Sequence, residues 1–299
     1  MTNPTPIAGT VLPRASSLTD ALLAPAGRGF TGPGRSAAER ALLGGVSRLP
    51  RDLGGGRPVR VDRFLLRQAR LHPELLGRPD PFRWSSTTAT RALGLAAVRA
   101  SLHDRGSRHS PMSSVDGVIR RLTVRGGDVP SSLGRWLREI HPAARAAVRA
   151  DAVTWATNLA TALDWDRLGP RPDVGGPDRW WDCPSAPQLA LRSRVEVRVD
   201  LPAGPSAVGA RRSEGRAGAL FVVGNGYPSA GSGEELALVA LAEVLARPGS
   251  RPARIVGWWP HSGRALVLTV DDGILERAVQ AVLHAVEALA AAWPMENVA

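Results

Sequence analysis

The residue whose setting most invites chemistry is Glu196. It lies in LRSRVEVRVDL, with Arg194 and Arg198 two residues to either side and Arg192 beyond. In an extended segment, residues two apart share a face, so this is one carboxylate among three guanidiniums. It could ligate a metal while the arginines draw phosphate towards it. It could instead pair with Arg192, Arg194 or Arg198 as simple neutralisation on one strand face. The same arginines could also hold a nucleic-acid backbone by salt-sensitive, sequence-independent contacts. Other candidates are sparser. His261 falls in a turn, PHSG, and His284 on a helix, without the His-x-x-x-His spacing or acid–histidine pair of a metal site. Ser262 adjoins His261, but adjacency in sequence does not build a triad. The pairs Trp180-Trp181 and Trp258-Trp259 could stack on bases. On a strand, though, the two members of a pair face opposite ways, so at least one of each should pack into a core.

Composition removes whole classes of mechanism. All 38 basic residues are arginine. Without lysine there is no Schiff base, no P-loop lysine and no kinase-type phosphate lysine. The single cysteine, Cys183, can form neither an internal disulfide nor a cysteine-ligated zinc or iron–sulfur site. Cysteine usage this low fits a reducing, cytoplasmic setting. No run approaches the roughly 18 apolar residues of a membrane span, and the N-terminal residues lack the charged and apolar regions of a secretory signal. Set against 27 acids, the arginines give a net charge of +11 over 299 residues. That charge permits attraction to nucleic acid, and it also follows from a bias towards Ala, Gly, Pro and Arg.

Three regions must position these residues. Residues 1–57 are rich in Pro, Gly and Ser around one helical candidate at Ser36–Val46, and read as a disordered or loosely packed arm. Residues 58–140 read as a helical N-terminal part. One helix is expected over Val59–Leu76, with Phe64, Leu65, Leu71 and Leu75 at helical spacings, and another from Ser85 or Ser86 to His103. A polar loop then surrounds a short segment at Val115–Leu122, and the basic stretch GVIRRLTVRGG reads as a solvated edge. Residues 141–293 read as an α/β core. A helix over Pro142–Leu163 carries Ala147, Trp155, Leu159 and Leu163 as its apolar stripe. Leu189–Leu201 alternates with period two and predicts one strand, with its odd positions in the core and its even positions facing solvent or a cleft. GALFVV at 218–223 predicts a neighbouring strand covered on both faces, closed by the turn signal GNGYP. A capping box at Ser232–Glu235 opens the next helix. A hairpin of Ala253–Trp259 and Arg264–Val270 turns at PHSG, and a last helix is capped by Asp271 or Asp272. A mixed central sheet flanked by helices is the expected class.

This order, with these residues, resembles the nuclease domain of RecB-family exonucleases in the PD-(D/E)XK superfamily, over about residues 82–290. LRSRVEVRVDL looks like the strand that carries the family's metal-binding Asp, LFVVGNGYPSA like the strand ending in its acid and lysine, and EELALVALAEVL like its Gln- and Tyr-bearing helix. The resemblance implies a restriction-endonuclease-like core that acts on DNA, with Mg²⁺ polarising a phosphate and activating water. It also places Glu196 where the first acid stands, Gly224 and Gly226 where the second acid and the lysine stand, and Glu235 and Val239 where the Gln and Tyr stand. The implied site has therefore lost its second acid, its lysine and its helix residues. The expectation is a catalytically degenerate nuclease fold that binds DNA or a helicase or other DNA-repair partner. Its nucleic-acid contacts would come through Arg192, Arg194 and Arg198, with Glu196 a remnant and no cofactor. Two alternatives remain open at this point. One is an active Mg²⁺-dependent exonuclease using Glu196 with Asp200 or Glu234. The other is a non-enzymatic interaction protein with no nucleic-acid role.

Overall fold

The computed structural model describes residues 7, 9–12, 17–24, 32–48, 58–76, 83–103, 110–124, 132–169, 172–175, 179–183, 186–201, 217–247, 249 and 251–292. In chain order its strands are β1 (Thr10–Leu12), β2 (Val59–Val61), β3 (Asp173–Val174), β4 (Arg179–Cys183), β5 (Ala186–Ser193), β6 (Val197–Asp200), β7 (Ala217–Val223), β8 (Arg251–Trp259) and β9 (Arg264–Thr269). Its helices are α1 (Leu18–Leu23), α2 (Gly32–Val46), α3 (Arg63–Leu71), α4 (Ser86–His103), α5 (Pro111–Thr123), α6 (Ser132–Glu139), α7 (Pro142–Ala162), α8 (Ser232–Ala246) and α9 (Asp272–Ala292). The chain divides into two compact units: residues 1–79 with 176–299, and residues 80–175.

The first unit is α/β. Its larger sheet runs β1-β9-β8-β7-β6, with β7 and β8 parallel and the other pairs antiparallel. A smaller sheet runs β2-β5-β4, with β2 parallel and β4 antiparallel to β5. The helix α8 connects the parallel strands β7 and β8 and packs against both sheets and α9. Its sequence, SGEELALVALAEVLA, is apolar nearly all round, and only Glu234 among residues 232–245 escapes full burial. A helix with no polar face must be surrounded, and α8 forms the axis of the core. The run at β7 is buried from Ala219 to Val223, as a strand covered on both faces requires. The expected hairpin is present as β8 and β9, with the turn Pro260–Gly263 between them. Asp271 caps α9 by accepting from the Ile274 N–H at 2.7 Å.

Several expectations change. Leu189–Leu201 is two strands. The chain leaves β5 at Ser193, bends through Arg194–Glu196 and enters β6, passing from the small sheet to the large one. Period two survives that change of sheet, so the pattern alone cannot report it. Val195, Val197 and Val199 are buried as expected, and β6 lies antiparallel beside β7. The even positions Glu196 and Arg198, expected towards solvent or a cleft, are buried as well. The helix expected over Val59–Leu76 begins later, because Val59–Val61 pairs with β5 and Asp62 caps α3 by accepting from Phe64 and Leu65 N–H. Leu66 and Ala69 face the core, while Phe64, Leu71 and Leu75 are exposed. The expected capping box does not form. Gly231 is the N-cap of α8 without a side-chain bond, and Ser232 Oγ accepts instead from Ser229 N–H.

The described part of residues 1–57 packs within the first unit and is not the loose arm that its composition suggests. β1 pairs with β9, α2 packs on α9, and Ile7, Leu22, Leu42 and Val46 are buried. The Ser36–Val46 candidate is the larger part of α2. Residues 1–6, 8, 13–16, 25–31 and 49–57 lie outside the described residues.

The second unit is helical. α4 packs along α7 and against α5, and α6 packs on α5. The buried stripe of α7 is Val148, Ala152, Ala156 and Leu159, rotated from the expected one, since Ala147 is exposed and Trp155 only half-buried. The short segment expected at Val115–Leu122 is part of a longer helix, α5, opened by Ser110 as N-cap and Pro111 at the first turn.

Candidate functional site

The β5–β6 bend sets Glu196 at the end of the β6–β7 ladder. Its N–H donates to Phe221 O at 2.9 Å, and its Oε2 accepts from Val223 N–H at 2.7 Å. The side chain is 0% exposed, and Arg194 Nε stands 3.8 Å from Oε1. The carboxylate thus serves as a backbone acceptor where the strand pairing ends, with the Arg194 guanidinium beside it. Of the three arginines expected around it, only Arg194 makes the salt contact with Glu196.

Arg198 turns to another acid. Its Nη2 donates to Glu243 Oε1 at 2.7 Å and its Nε lies 3.3 Å from both Glu243 oxygens, while Ser193 Oγ donates to Oε1 at 2.9 Å. Arg198 is 7% and Glu243 0% exposed. A charge this deep needs a charged partner and hydrogen bonds together, and these two supply that need to each other. Glu243 is the residue that sequence reasoning passed over. The signal was there, as the lone acid in the second half of an apolar helix.

Arg192 stays half-exposed, 3.8 Å from Asp62. Its guanidinium and that of Arg60 each lie 5.3 Å from the centre of the Trp180 ring. Pairing across β5 puts Arg60, Trp180, Arg192, Asp62 and Asp182 on one face of the small sheet, with Trp181 buried on the other. Two acids and two arginines share that face, so it is close to neutral. Trp258 and Trp259 are both buried, and His261 meets Tyr227 edge-on at 5.3 Å.

Beyond β7, a side chain at Gly224 would point as Val222 does, towards α8. That space holds the indole of Trp259, whose Nε1 would lie 2.1 Å from a Cβ built at Gly224. Trp259 is 3% exposed, and its indole N–H has no hydrogen-bond partner among the described residues. Gly226 has φ +67, a left-handed conformation that disfavours other residues. Glu235, at the other end of the implied site, is held by Arg67, whose Nη2 lies 2.7 Å and Nε 2.9 Å from Oε1. Arg70 reaches Glu234 at 3.3 Å. Burial pushes the Glu234 carboxyl up from its usual range, and Arg70 only partly offsets this. Asp200 is exposed at the end of β6.

The residues present do not fit Mg²⁺. A hard cation needs several oxygens converging with room for water. Here Glu196 is enclosed with one oxygen on a backbone N–H, Gly224 and Gly226 bring no side-chain oxygen, and Glu235 is engaged by a guanidinium. No group of three or more His, Cys, Asp and Glu that could hold a metal occurs among the described residues.

An acid placed at position 224 tests this packing. Gly224→Asp drives a side chain into the Trp259 ring, and overpacking of this kind costs about 1–3 kcal/mol. Thermal unfolding should show that loss, and Gly224→Asp combined with Trp259→Ala should lose less than the two single effects added together. Strict additivity would mean that the ring and the new side chain do not compete.

No family model, curated protein or solved structure matches the chain.

Proposed function

We propose that this chain is a restriction-endonuclease-like domain of RecB type whose nuclease centre has been replaced by packing, and that it works by binding DNA or a DNA-repair partner. The observation that carries this reading is the Trp259 indole in the space of a Gly224 side chain. Glu196, fully enclosed and bonded to Val223 N–H, supports it. Further support comes from the element order, in which a strand like the family's acid-bearing one is followed by β7, α8, the β8–β9 hairpin and α9. In such a centre the metal and its positioned acids supply several kcal/mol of charge stabilisation to the transition state. Their loss leaves the energy of phosphate binding but not the chemistry.

The test incubates the purified chain with linear single- and double-stranded DNA in Mg²⁺ and in Mn²⁺, beside Glu196→Gln. The expected result is no cleavage above background by either protein. Cleavage by the unaltered chain that disappears in the variant would restore the nuclease and overturn the reading.

A further inference from the structure

The arginines best placed to meet a phosphate lie away from the β5–β6 bend, on three consecutive helices of the second unit. Across α5, α6 and α7 there are six arginines and three acids, Asp116, Glu139 and Asp151. One of those acids is already neutralised. Arg149 holds Asp116 with two hydrogen bonds, Nε to Oδ1 at 2.5 Å and Nη2 to Oδ2 at 2.7 Å. That fork fixes α5 against α7. Arg120 lies one turn along α5 from Asp116, and Arg145 one turn along α7 from Arg149, so all four residues share one side of the helix pair. Arg120 is near enough to help hold the Asp116 carboxyl below its usual range, after the hydrogen bond and the charge of Arg149.

The third helix packs on α5. Arg138 Nη1 donates to Thr123 O at 3.5 Å, which sets α6 over the C-terminal turn of α5, beside Arg120. Arg120, Arg121 and Arg135 are exposed, and none forms an ion pair among the described residues. Neighbouring cations repel one another, and so many at one end of a bundle cost stability unless an anion comes to them. The small-sheet face with Arg60 and Arg192 differs, since it carries its own acids.

We propose that the α5–α6–α7 face binds the phosphodiester backbone of nucleic acid without reading sequence. The inference deepens the DNA-binding part of the proposed function and rests on it. Its ligand contacts are Arg120, Arg121, Arg135 and Arg145, while Arg149 acts through Asp116 to position them. Arginine suits this role because its planar fork meets two phosphate oxygens at once. Contacts of this kind release counterions, so affinity falls steeply as salt rises, by a log–log slope of about 0.9 per neutralised phosphate on duplex.

The experiment measures binding of the full chain to a 30-base-pair duplex, and to the corresponding single strand, over a salt series in EDTA. EDTA keeps any metal-dependent cleavage out of the readout, so the nuclease question can fail or stand independently. The triple variant Arg120→Gln, Arg121→Gln, Arg135→Gln keeps good helix formers at exposed positions, and its melting temperature reports folding. Its duplex affinity should fall on the order of tenfold or more, with a salt slope smaller by roughly 2–3. A control pair on the small sheet, Arg60→Gln with Arg192→Gln, should retain the full slope. An unchanged slope in the triple variant, or loss confined to the control pair, overturns the proposal. So does equal competition by poly-glutamate of matched charge, which would make the face a site for acidic protein. Loss on the duplex alone, or on both nucleic acids, supports it and tells the two sources of phosphate apart.

Discussion

Deletion of residues 1–48 should leave a chain without a cooperative thermal transition, or with a melting temperature lowered by tens of degrees. The deleted segment buries Ile7, Leu22, Leu42 and Val46, each at most 4% exposed. Burial of one such side chain contributes about 1.5–3 kcal/mol, so the four together contribute roughly 6–12 kcal/mol before chain entropy is subtracted. A whole domain is typically stable by only about 5–15 kcal/mol. The segment also covers groups that were built to be covered. β1 supplies the outer neighbour of β9, the Ala21 carbonyl accepts from Arg254 Nη1 at 2.9 Å, and Arg35 Nη2 donates to Leu245 O at the end of α8. Without it, β9 becomes a bare edge and Arg254 faces a gap. Calorimetry of the truncated chain decides the matter, and a transition within a few degrees of the full chain would mean that the rest of the core closes over the loss.

That segment shows why composition misled. Its apolar residues come in short clusters broken by Gly, Pro and Ser, and such clusters bury little area against one another. It gains order from surface that the later chain provides, which no window of its own sequence contains. β2 is hidden for a related reason. Three residues, VRV, precede a helix cap and sit inside a segment with helical spacing, and only pairing with β5, about 130 residues away, makes them a strand. Where the signal was local, it could be read. The continuous apolar run at β7, the helix α8 with no polar face, and the β8–β9 hairpin around Pro260–Gly263 all carry their environment in their own residues.

The site was legible in the same uneven way. The absence of lysine and the glycines at 224 and 226 stand in the sequence itself. That Trp259 fills the space beside Gly224 does not, because Gly224 lies just past β7 and Trp259 ends the neighbouring strand β8, 35 residues on. The basic helices were visible as arginines, yet GVIRRLTVRGG read as a solvated edge. The fork between Arg149 and Asp116, with the packing of α5 on α7, is what joins these helices. Charge along a chain becomes a surface only through contacts between elements.

The hardest residue to foresee gives the second large effect. Glu243→Ala should destabilise the first unit by about 3–5 kcal/mol, because it leaves the buried guanidinium of Arg198 without its counter-charge. Arg198 and Ser193 both donate to Glu243, and Arg198 lies only 7% exposed, so bulk solvent has little access with which to replace the lost carboxylate. Replacing one partner strands the other, whereas replacing both with apolar residues of similar volume removes the two desolvation costs together. Glu243→Leu combined with Arg198→Met should therefore recover most of the loss seen in Glu243→Leu alone. The readout is a double-mutant cycle by denaturant unfolding, in which the pair should show strong coupling. A loss below about 1 kcal/mol in Glu243→Ala would mean that water reaches the guanidinium and the network is not closed. Additive losses in the cycle would mean that Arg198 and Glu243 stand side by side without depending on each other.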